Sequence, residues 1–431
     1  MSNVRQTLQF LYDLQLFGIK VGLKNICALL SVLGNPERQF PCIHIAGTNG
    51  KGSTSSMIAA MLTASGYRTG LYTSPHLIKF NERIRIDGKH IADEDIVRYT
   101  NTLKPTITKL KSTFFEVTTA IAFKYFADQK VDFAVIETGL GGRLDATNVV
   151  TPLLSIITNI GLDHTEYLGT TYAQIAYEKG GIIKRGKPCL TATNEASALK
   201  KLKEIARARH STLTHVAKAS SVTINKSTIQ ELGVSLTTHH SSINRLIVSL
   251  AGEHQSHNLQ LAILAALYLK DKQGFHRLSS SNIRRGLANV QEYSGLRGRL
   301  DVIQHSPLII ADVAHNPAGI STLVSMLKKL LVGKCIVVLG VMKDKDYTAM
   351  VRQLAEISRL SIAVRPETER ALTSSTISEL FHDIQLKALD GDSVANGVAI
   401  AMREARANEP ILVTGSHYVV GEVMKHLRVT V

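Results

Sequence analysis

The chain has no tryptophan, four cysteines in 431 residues, and only 5% aromatic content. Cys27, Cys42, Cys189 and Cys335 lie far apart, with neither metal-ligand spacing nor a paired framework. A small cross-linked secreted domain is therefore excluded, and reduced, mostly buried thiols in a cytosolic protein are expected. Long hydrophobic runs are also missing: the longest apolar stretch, near Leu259 to Leu269, is too short to span a bilayer. Met1 to Gln6 leads into a plain helical pattern with no basic segment before an apolar core, so no secretory signal is expected. These absences imply a cytoplasmic protein with no membrane partner.

Positive charge is abundant but not concentrated. The formal net charge is +15, yet the lysines and arginines are spread along the chain without a long basic run. Attraction for a small polyanion explains this as well as nucleic acid does, and no nucleic-acid partner is expected. Hydrophobic content of 44% and charged content of 20% describe an ordinary globular protein. Its length exceeds one comfortable core, so two or three domains are expected.

The most informative feature present is Ile43-His44-Ile45-Ala46-Gly47-Thr48-Asn49-Gly50-Lys51-Gly52-Ser53. An apolar strand runs into a glycine-rich turn carrying a lysine and a hydroxyl, the pattern of a triphosphate cradle. Backbone N–H groups point inward, Lys51 reaches the outer phosphates, and Ser53 at the start of the next helix can ligate Mg²⁺. The loop departs from the usual form, because Gly52 follows the lysine directly and Ile45 stands where a leading glycine is usual. A strand-to-helix turn needing positive φ would account for Gly47 and Gly50, but not for Thr48, Asn49 and Lys51.

Alternating patterns then give the organisation. A helix from Gly52 to about Ala64 is followed by strands at Arg68 to Thr73 and near Arg83 to Ile86, a helix from Phe115 to Phe126, and buried strands at Asp132 to Ile136 and Leu153 to Thr158. This rhythm predicts a mainly parallel sheet with ligands at the C-terminal strand ends. Short Thr- and Ser-rich alternating runs between Ser211 and Leu250 predict antiparallel strands at the edge of the first domain. Helices from about Ser256 to Lys270 and Ser280 to Asn289 end at the glycine-punctuated stretch Tyr293 to Gly298, which marks the domain boundary. Beyond it, strands at Leu308 to Ala311, Cys335 to Leu339, Leu360 to Val364, near Leu386, and Ile411 to Thr414 alternate with helices. The fold class is α/β: a P-loop ATPase-like mainly parallel N-terminal domain with an antiparallel edge, residues 1–295, and a smaller Rossmann-like α/β domain, residues 296–431.

Polar residues at strand ends carry the chemistry. Glu137, at the tip of a buried strand, is placed for a Mg²⁺ ligand touching protein and phosphate oxygens, although a helix cap or salt bridge would also explain it. The following Gly139-Leu140-Gly141-Gly142 has the wrong spacing for a dinucleotide fingerprint and reads as a tight loop pressed over a ligand. His164 follows another strand end and Asp163; it admits a second metal site or an ordinary capped histidine. Lys179 closes a helix before two glycines, where a lysine also favours the helix dipole.

These motifs together resemble the Mur ligase superfamily, and within it the dihydrofolate synthase/folylpolyglutamate synthase family. The phosphate loop, Tyr72 to Leu77 with Asn81 to Ile84, Glu137 to Asn148, Asp163-His164, Glu178-Lys179, Gly252 to Asn258, Arg297 to Leu300, and Asp312 to Pro317 occur in the family's order across essentially the whole chain. The resemblance implies an ATP- and Mg²⁺-dependent ligase. A carboxylate is phosphorylated to an acyl phosphate, and the amine of L-glutamate displaces phosphate to form an amide. The acceptor is dihydropteroate, the γ-carboxylate of a folate, or both.

The resemblance also implies roles for particular residues. Lys51 holds the outer phosphates, while Gly47 to Ser53 cradle them. Ser74 and Glu137 ligate one Mg²⁺, with Ser53 beside them, and His164 ligates a second. Lys179 matches a lysine often carbamylated, a modification that turns it into a carboxylate supporting the second metal, and Lys51, Lys179 and His164 form the catalytic set. Asn258 contacts adenine, shaped by His254 and Gln255, while Arg299, Asp312 and His315 reach ATP from the second domain. Domain closure about the Ser294 to Gly298 linker would gate the reaction. Thr113, Phe115 and Asp145 match pterin-contacting positions. A K⁺ or other monovalent cation, small-molecule substrates only, and a monomeric state complete the expectation.

Three departures adjoin the site: Gly180 replaces a usual alanine, the segment carrying Arg297 lacks the Pro that commonly precedes its glycine, and Val313 replaces a usual glycine. Two other readings are available. A ligase acting on a nucleotide-linked cell-wall precursor would need a nucleotide-sugar domain before the loop, and only about forty residues of helical character precede Ile43. A nucleotide switch without chemistry would be expected to lose Glu137, His164 or Lys179, and all three are present.

Overall fold

The computed structural model describes residues 3–18, 22–239 and 241–429. Among these, the first sheet contains β1 (Cys42–Ala46), β2 (Thr69–Tyr72), β3 (Ile84–Ile86), β4 (Lys89–His90), β5 (Phe133–Glu137), β6 (Leu154–Ile157), β7 (Cys189–Thr191) and β8 (Leu213–His215). Their spatial order is β4-β3-β2-β5-β1-β6-β7-β8. The pairings from β2 through β8 are parallel, and β3 and β4 are antiparallel additions at one edge.

Every residue of β1 and β5 is buried. That is why these strands read as continuous apolar runs: both sheet faces are covered. Ile43, Ile45, Phe133 and Val135 face one core with Met57, Met61 and Leu261, whereas Cys42, Ala134 and Ile136 face the other with Leu29, Val117 and Phe123. The period of two along each strand divides its side chains between these layers. The first layer centres on helix Lys51–Ala64, nearly all of whose residues are buried. Helices Gln255–Gln273 and Ser280–Ala288 lie against it, and a Cβ at Gly286 would stand 2.7 Å from Ala60 O, so the absence of a side chain permits this close crossing.

The Ser211 to Leu250 region divides in two. Its beginning supplies β8, a parallel edge strand, while β9 (Ser220–Ser227), β10 (Leu232–Thr238) and β11 (Ser242–Val248) form a separate antiparallel sheet. Leu232, Val234, Leu236 and Leu246 turn their alternating apolar face into the core shared with helix Gln255–Gln273.

The second domain contains β12 (Asp301–His305), β13 (Leu308–Ala311), β14 (Cys335–Leu339), β15 (Ser358–Arg365), β16 (Ala388–Ser393) and β17 (Ile411–Thr414), ordered β12-β13-β17-β14-β15-β16. All neighbours are parallel except β12 with β13. The strand expected near Leu386 begins two residues later, at Ala388. Helices cover both faces, with Val337 and Leu339 in one core and Ile336 and Val338 in the other.

The domains meet with the C-terminal ends of β1, β5 and β6 facing residues that follow β13 and β14. Leu77 and Ile78 of the first domain pack on a core of the second that includes Val313 and Val420. Gly421 brings helix His417–His426 so close that a Cβ there would lie 2.0 Å from Leu77 O. No described helix is long and apolar enough to cross a membrane.

Candidate active site

β1 lies between β5 and β6, so the loop leaving its C-terminal end enters the crevice between their ends. Gly47 has φ +157°, and a Cβ there would fall 1.8 Å from Thr158 Oγ1. Gly50 has φ +82°, and its Cβ would meet Asn258 Oδ1 at 2.3 Å. Both glycines therefore combine a backbone conformation unfavourable to other residues with close approach of a polar side chain. Thr158 Oγ1 donates to Asn49 O at 2.6 Å, and Asn49 N–H donates to Asn159 Oδ1 at 2.8 Å. The end of β6 thus holds the loop's outer turn.

Two lysines converge on the inner turn. Lys51 Nζ donates to Gly47 O at 3.1 Å and Thr48 O at 3.3 Å, while buried Lys179 Nζ reaches the same Gly47 O at 2.9 Å. Burial, reinforced by the charge on Lys51, pushes Lys179 down to about 7. The neighbouring Gly180 has a packing reason: a Cβ would approach Ile205 Cδ1 to 2.6 Å and Leu202 Cδ2 to 3.2 Å.

Glu137 sits one strand from the loop, its Cα paired with Ile45. Burial pushes its carboxyl up to about 7, opposed by Lys51, Arg299, the Ser74 N–H and Arg83. Its Oε2 is buried without a hydrogen-bond partner and would lie 3.7 Å from a Cβ on Gly52. From the second domain, Arg299 Nη2 would lie 3.6 Å from that same Cβ. A carboxylate oxygen without a partner beside a phosphate loop fits a hard cation taking oxygen ligands. Among the described residues no three His, Cys, Asp or Glu side chains gather as an all-protein metal site. The donor chemistry therefore suits an ion shared with phosphate, with Glu137, Ser53 and Ser74 as the protein candidates.

A second cluster surrounds Asp163. Its Oδ1 accepts from Lys345 Nζ at 2.7 Å and its Oδ2 from Asn316 Nδ2 at 3.1 Å; His164 Nε2 and His315 Nε2 lie 4.0 and 3.9 Å away. Burial opposes ionisation of Asp163, yet His164 and Lys345 hold its carboxyl well below the usual carboxylate range. Burial also pushes His164 down to about 4. His315 contacts Val313 O through Nδ1 at 2.9 Å, which turns Nε2 toward the cleft, and its ring lies 5.5 Å from that of His417.

Other expected residues serve the surrounding loops. Asp145 Oδ2 accepts from Gly139 N–H at 3.0 Å and Leu140 N–H at 2.8 Å, and Oδ1 accepts from Thr147 N–H at 3.0 Å and from the Thr147 hydroxyl. Thr113 caps helix Phe114–Asp128 by accepting from Glu116 N–H. Phe115 lies over Gly139, where a Cβ would come within 2.5 Å of its ring. Asp312 accepts from Leu300 N–H and Ala314 N–H, both at 2.9 Å, and so shapes the turns carrying Arg299 and His315. Asn258 Nδ2 donates to Gln255 Oε1 at 2.9 Å, with His254 alongside.

Sequence reasoning did not assign roles to Lys345, Asn316, Thr158, Asn159 or His417. All lie just beyond β6, β13, β14 or β17, so the strand-end rule for open α/β sheets was the available signal.

Residues 45–266 match the Mur ligase middle domain, and residues 298–417 match the Mur ligase glutamate ligase domain. Fold and site together define the Mur-type ligase architecture. The chain is 37% identical to the dihydrofolate synthase/folylpolyglutamate synthase of Bacillus subtilis, covering 96% of each chain, and 36% identical to folylpolyglutamate synthase of Lacticaseibacillus casei, covering 99% of each. Thermotoga maritima folylpolyglutamate synthase superposes with TM-score 0.84 at 34% identity, covering 99% of this chain and 97% of that one. E. coli FolC in complex with DHPP and ADP gives TM-score 0.89 at 28% identity, over 99% and 98%. The chain belongs to the dihydrofolate synthase/folylpolyglutamate synthase family.

Proposed function

We propose that this protein joins L-glutamate to dihydropteroate, to the γ-carboxylate of folates, or to both, with MgATP as co-substrate. The observation that carries the reading is Glu137, whose unpartnered buried oxygen faces a phosphate loop flanked by Lys51 and Arg299. An acceptor carboxylate oxygen attacks the γ-phosphorus as its bond to the bridging oxygen of ADP breaks. The glutamate amine then attacks the acyl carbon and loses a proton, and inorganic phosphate leaves with its oxygen. Lys51 and the loop N–H groups stabilise charge on the transferred phosphoryl group. Arg299 brings a second cation from across the cleft.

Glu137, Ser53 and Ser74 would hold one Mg²⁺, and His164 with carbamylated Lys179 a second. Such ions neutralise charge as two anions are brought together. Asn258, beside Gly50, would contact adenine, while Asp312 and His315 approach ATP from the second domain. Phe115, Thr113 and Asp145 border the proposed pterin site; the engaged carboxylate of Asp145 favours its shaping the loop there. The proposal includes a monomeric cytoplasmic enzyme, a division between residues 295 and 296, and room for a K⁺ or other monovalent cation.

Glutamate-dependent ADP release, measured separately with dihydropteroate and tetrahydrofolate and with products weighed by mass spectrometry, tests the reading. Turnover with dihydropteroate, tetrahydrofolate or both is expected and assigns the biosynthetic step, tail extension or bifunctionality respectively. Absence of turnover with both overturns it.

A further inference from the structure

Lys345, in the turn after β14, donates through Nζ to Asp163 Oδ1 at 2.7 Å, and the two side chains are only 8% and 10% exposed. Asp163 belongs to the segment after β6 in the first domain. Its other oxygen accepts from Asn316 Nδ2 at 3.1 Å, and the same nitrogen lies 3.2 Å from Asn49 Oδ1 inside the phosphate loop. Asn316 is itself fixed as the cap of helix Pro317–Leu330, accepting Gly319 N–H at 2.8 Å. The network Lys345–Asp163–Asn316–Asn49 therefore crosses between domains three times and ends on the loop that would hold ATP. Asp344, 3.7 Å from Lys345, is also engaged by Arg370 at 3.1 Å, leaving Asp163 as the nearer carboxylate.

A buried ion pair gives little net stability but is costly to break by removing one member, because the survivor remains desolvated. When its members come from two domains, it is fully satisfied in one relative placement of those domains. Here the same placement delivers Asn316 to Asn49, whose backbone N–H donates to Asn159 Oδ1. A shift of the second domain separates the charges and removes the polar contact to the phosphate loop together.

We propose that Lys345 is a positioning residue that registers the second domain on the first through Asp163 and, by way of Asn316, sets Asn49 of the phosphate loop. The proposal rests on the ligase reading for its effect on turnover, but not for its effect on shape. Lys345 acts through Asp163 and Asn316.

The full chain, Lys345→Met and Lys345→Arg are compared by small-angle X-ray scattering with and without Mg²⁺ and a non-hydrolysable ATP analogue, and by steady-state kinetics. Lys345→Met is expected to have a larger radius of gyration with nucleotide than the parent. Its kcat should fall by up to about a hundredfold, the scale on which misplacement costs rate, with KM for L-glutamate unchanged. Lys345→Arg keeps the pair and should recover the compact form and most of kcat. Parental scattering and kcat in Lys345→Met overturn the proposal. A rise confined to the glutamate KM also overturns it, because the lysine would then be a substrate contact. If Lys345→Met does not fold, Lys345→Gln gives the same readouts with a polar side chain. Scattering needs no turnover, so failure of the parent to release ADP defeats the ligase reading while leaving the registry comparison decisive.

Discussion

Two glycine-rich turns follow neighbouring strands, Gly47 to Ser53 after β1 and Gly139 to Asn148 after β5, and they use buried polar groups in opposite ways. Beside the first, Glu137 Oε2 is left without a partner and two lysines share one carbonyl. In the second, Asp145 receives four donors from its own loop. Glycine content alone does not separate these turns. Satisfaction of their carboxylates does: Glu137 keeps an oxygen open beside the first turn, whereas Asp145 is saturated within the second, although Asn148 Oδ1 at the end of that turn also has no partner.

The largest test of this contrast is Glu137→Gln. Turnover in the ADP-release assay should fall about a thousandfold, roughly 4 kcal/mol of barrier. The melting temperature should stay level or rise, because a desolvated carboxyl is removed. A drop in stability with activity retained would place Glu137 among the architectural groups. Next, Lys179→Ala should lose about a hundredfold in kcat, close to 3 kcal/mol. Lys179→Arg should not rescue it, since a permanently protonated guanidinium cannot take up CO₂. A carbamate resonance after ¹³C-bicarbonate labelling should be present in the parent and absent from both variants.

The opposite pattern is expected for Asp145→Ala: a loss of about 2–3 kcal/mol in urea unfolding, because several buried donors lose their acceptor. A raised dihydropteroate KM at unchanged stability would move Asp145 to the ligand-facing class. The last test concerns the acid limb of stability and His44, fully buried with Nε2 2.8 Å from Thr147 Oγ1. Burial, assisted by Lys184, pushes His44 down to about 3. Between about 3 and 6.5 the unfolded chain binds the extra proton, so this contribution is complete above pH 6.5 and lost as pH falls toward 3. His44→Gln should flatten that acid slope, by at most about 1.4 kcal/mol per pH unit.

Much of the fold was legible because the interior strands carry continuous apolar runs: β1, β5, β14 and β17 lie where Ile43 to Ala46, Asp132 to Ile136, Cys335 to Leu339 and Ile411 to Thr414 indicated. Short β4 and β7 were missed because two or three residues offer too little periodicity, while β8 fell within the run read as antiparallel and pairs in parallel instead. The phosphate loop and Glu137 were legible because strand, turn and polar residue are adjacent in sequence. The Lys345–Asp163 pair was not, since its members stand 182 positions apart and meet only when both sheets are built. Nor could sequence reveal that Asp145 is fully engaged, because its donors are mostly backbone N–H groups.

The approach of Gly421 to Leu77 O gives the junction between domains an asymmetric tolerance. The contact is made by a main-chain atom, so position 77 can change its side chain without altering what position 421 meets, whereas position 421 cannot gain even a methyl group without displacing a backbone. For grafting, this separates donors by a single site. A foreign second domain that brings glycine there can seat on this first domain with its own surface residues, and one that brings any other residue must first reshape the segment around Leu77.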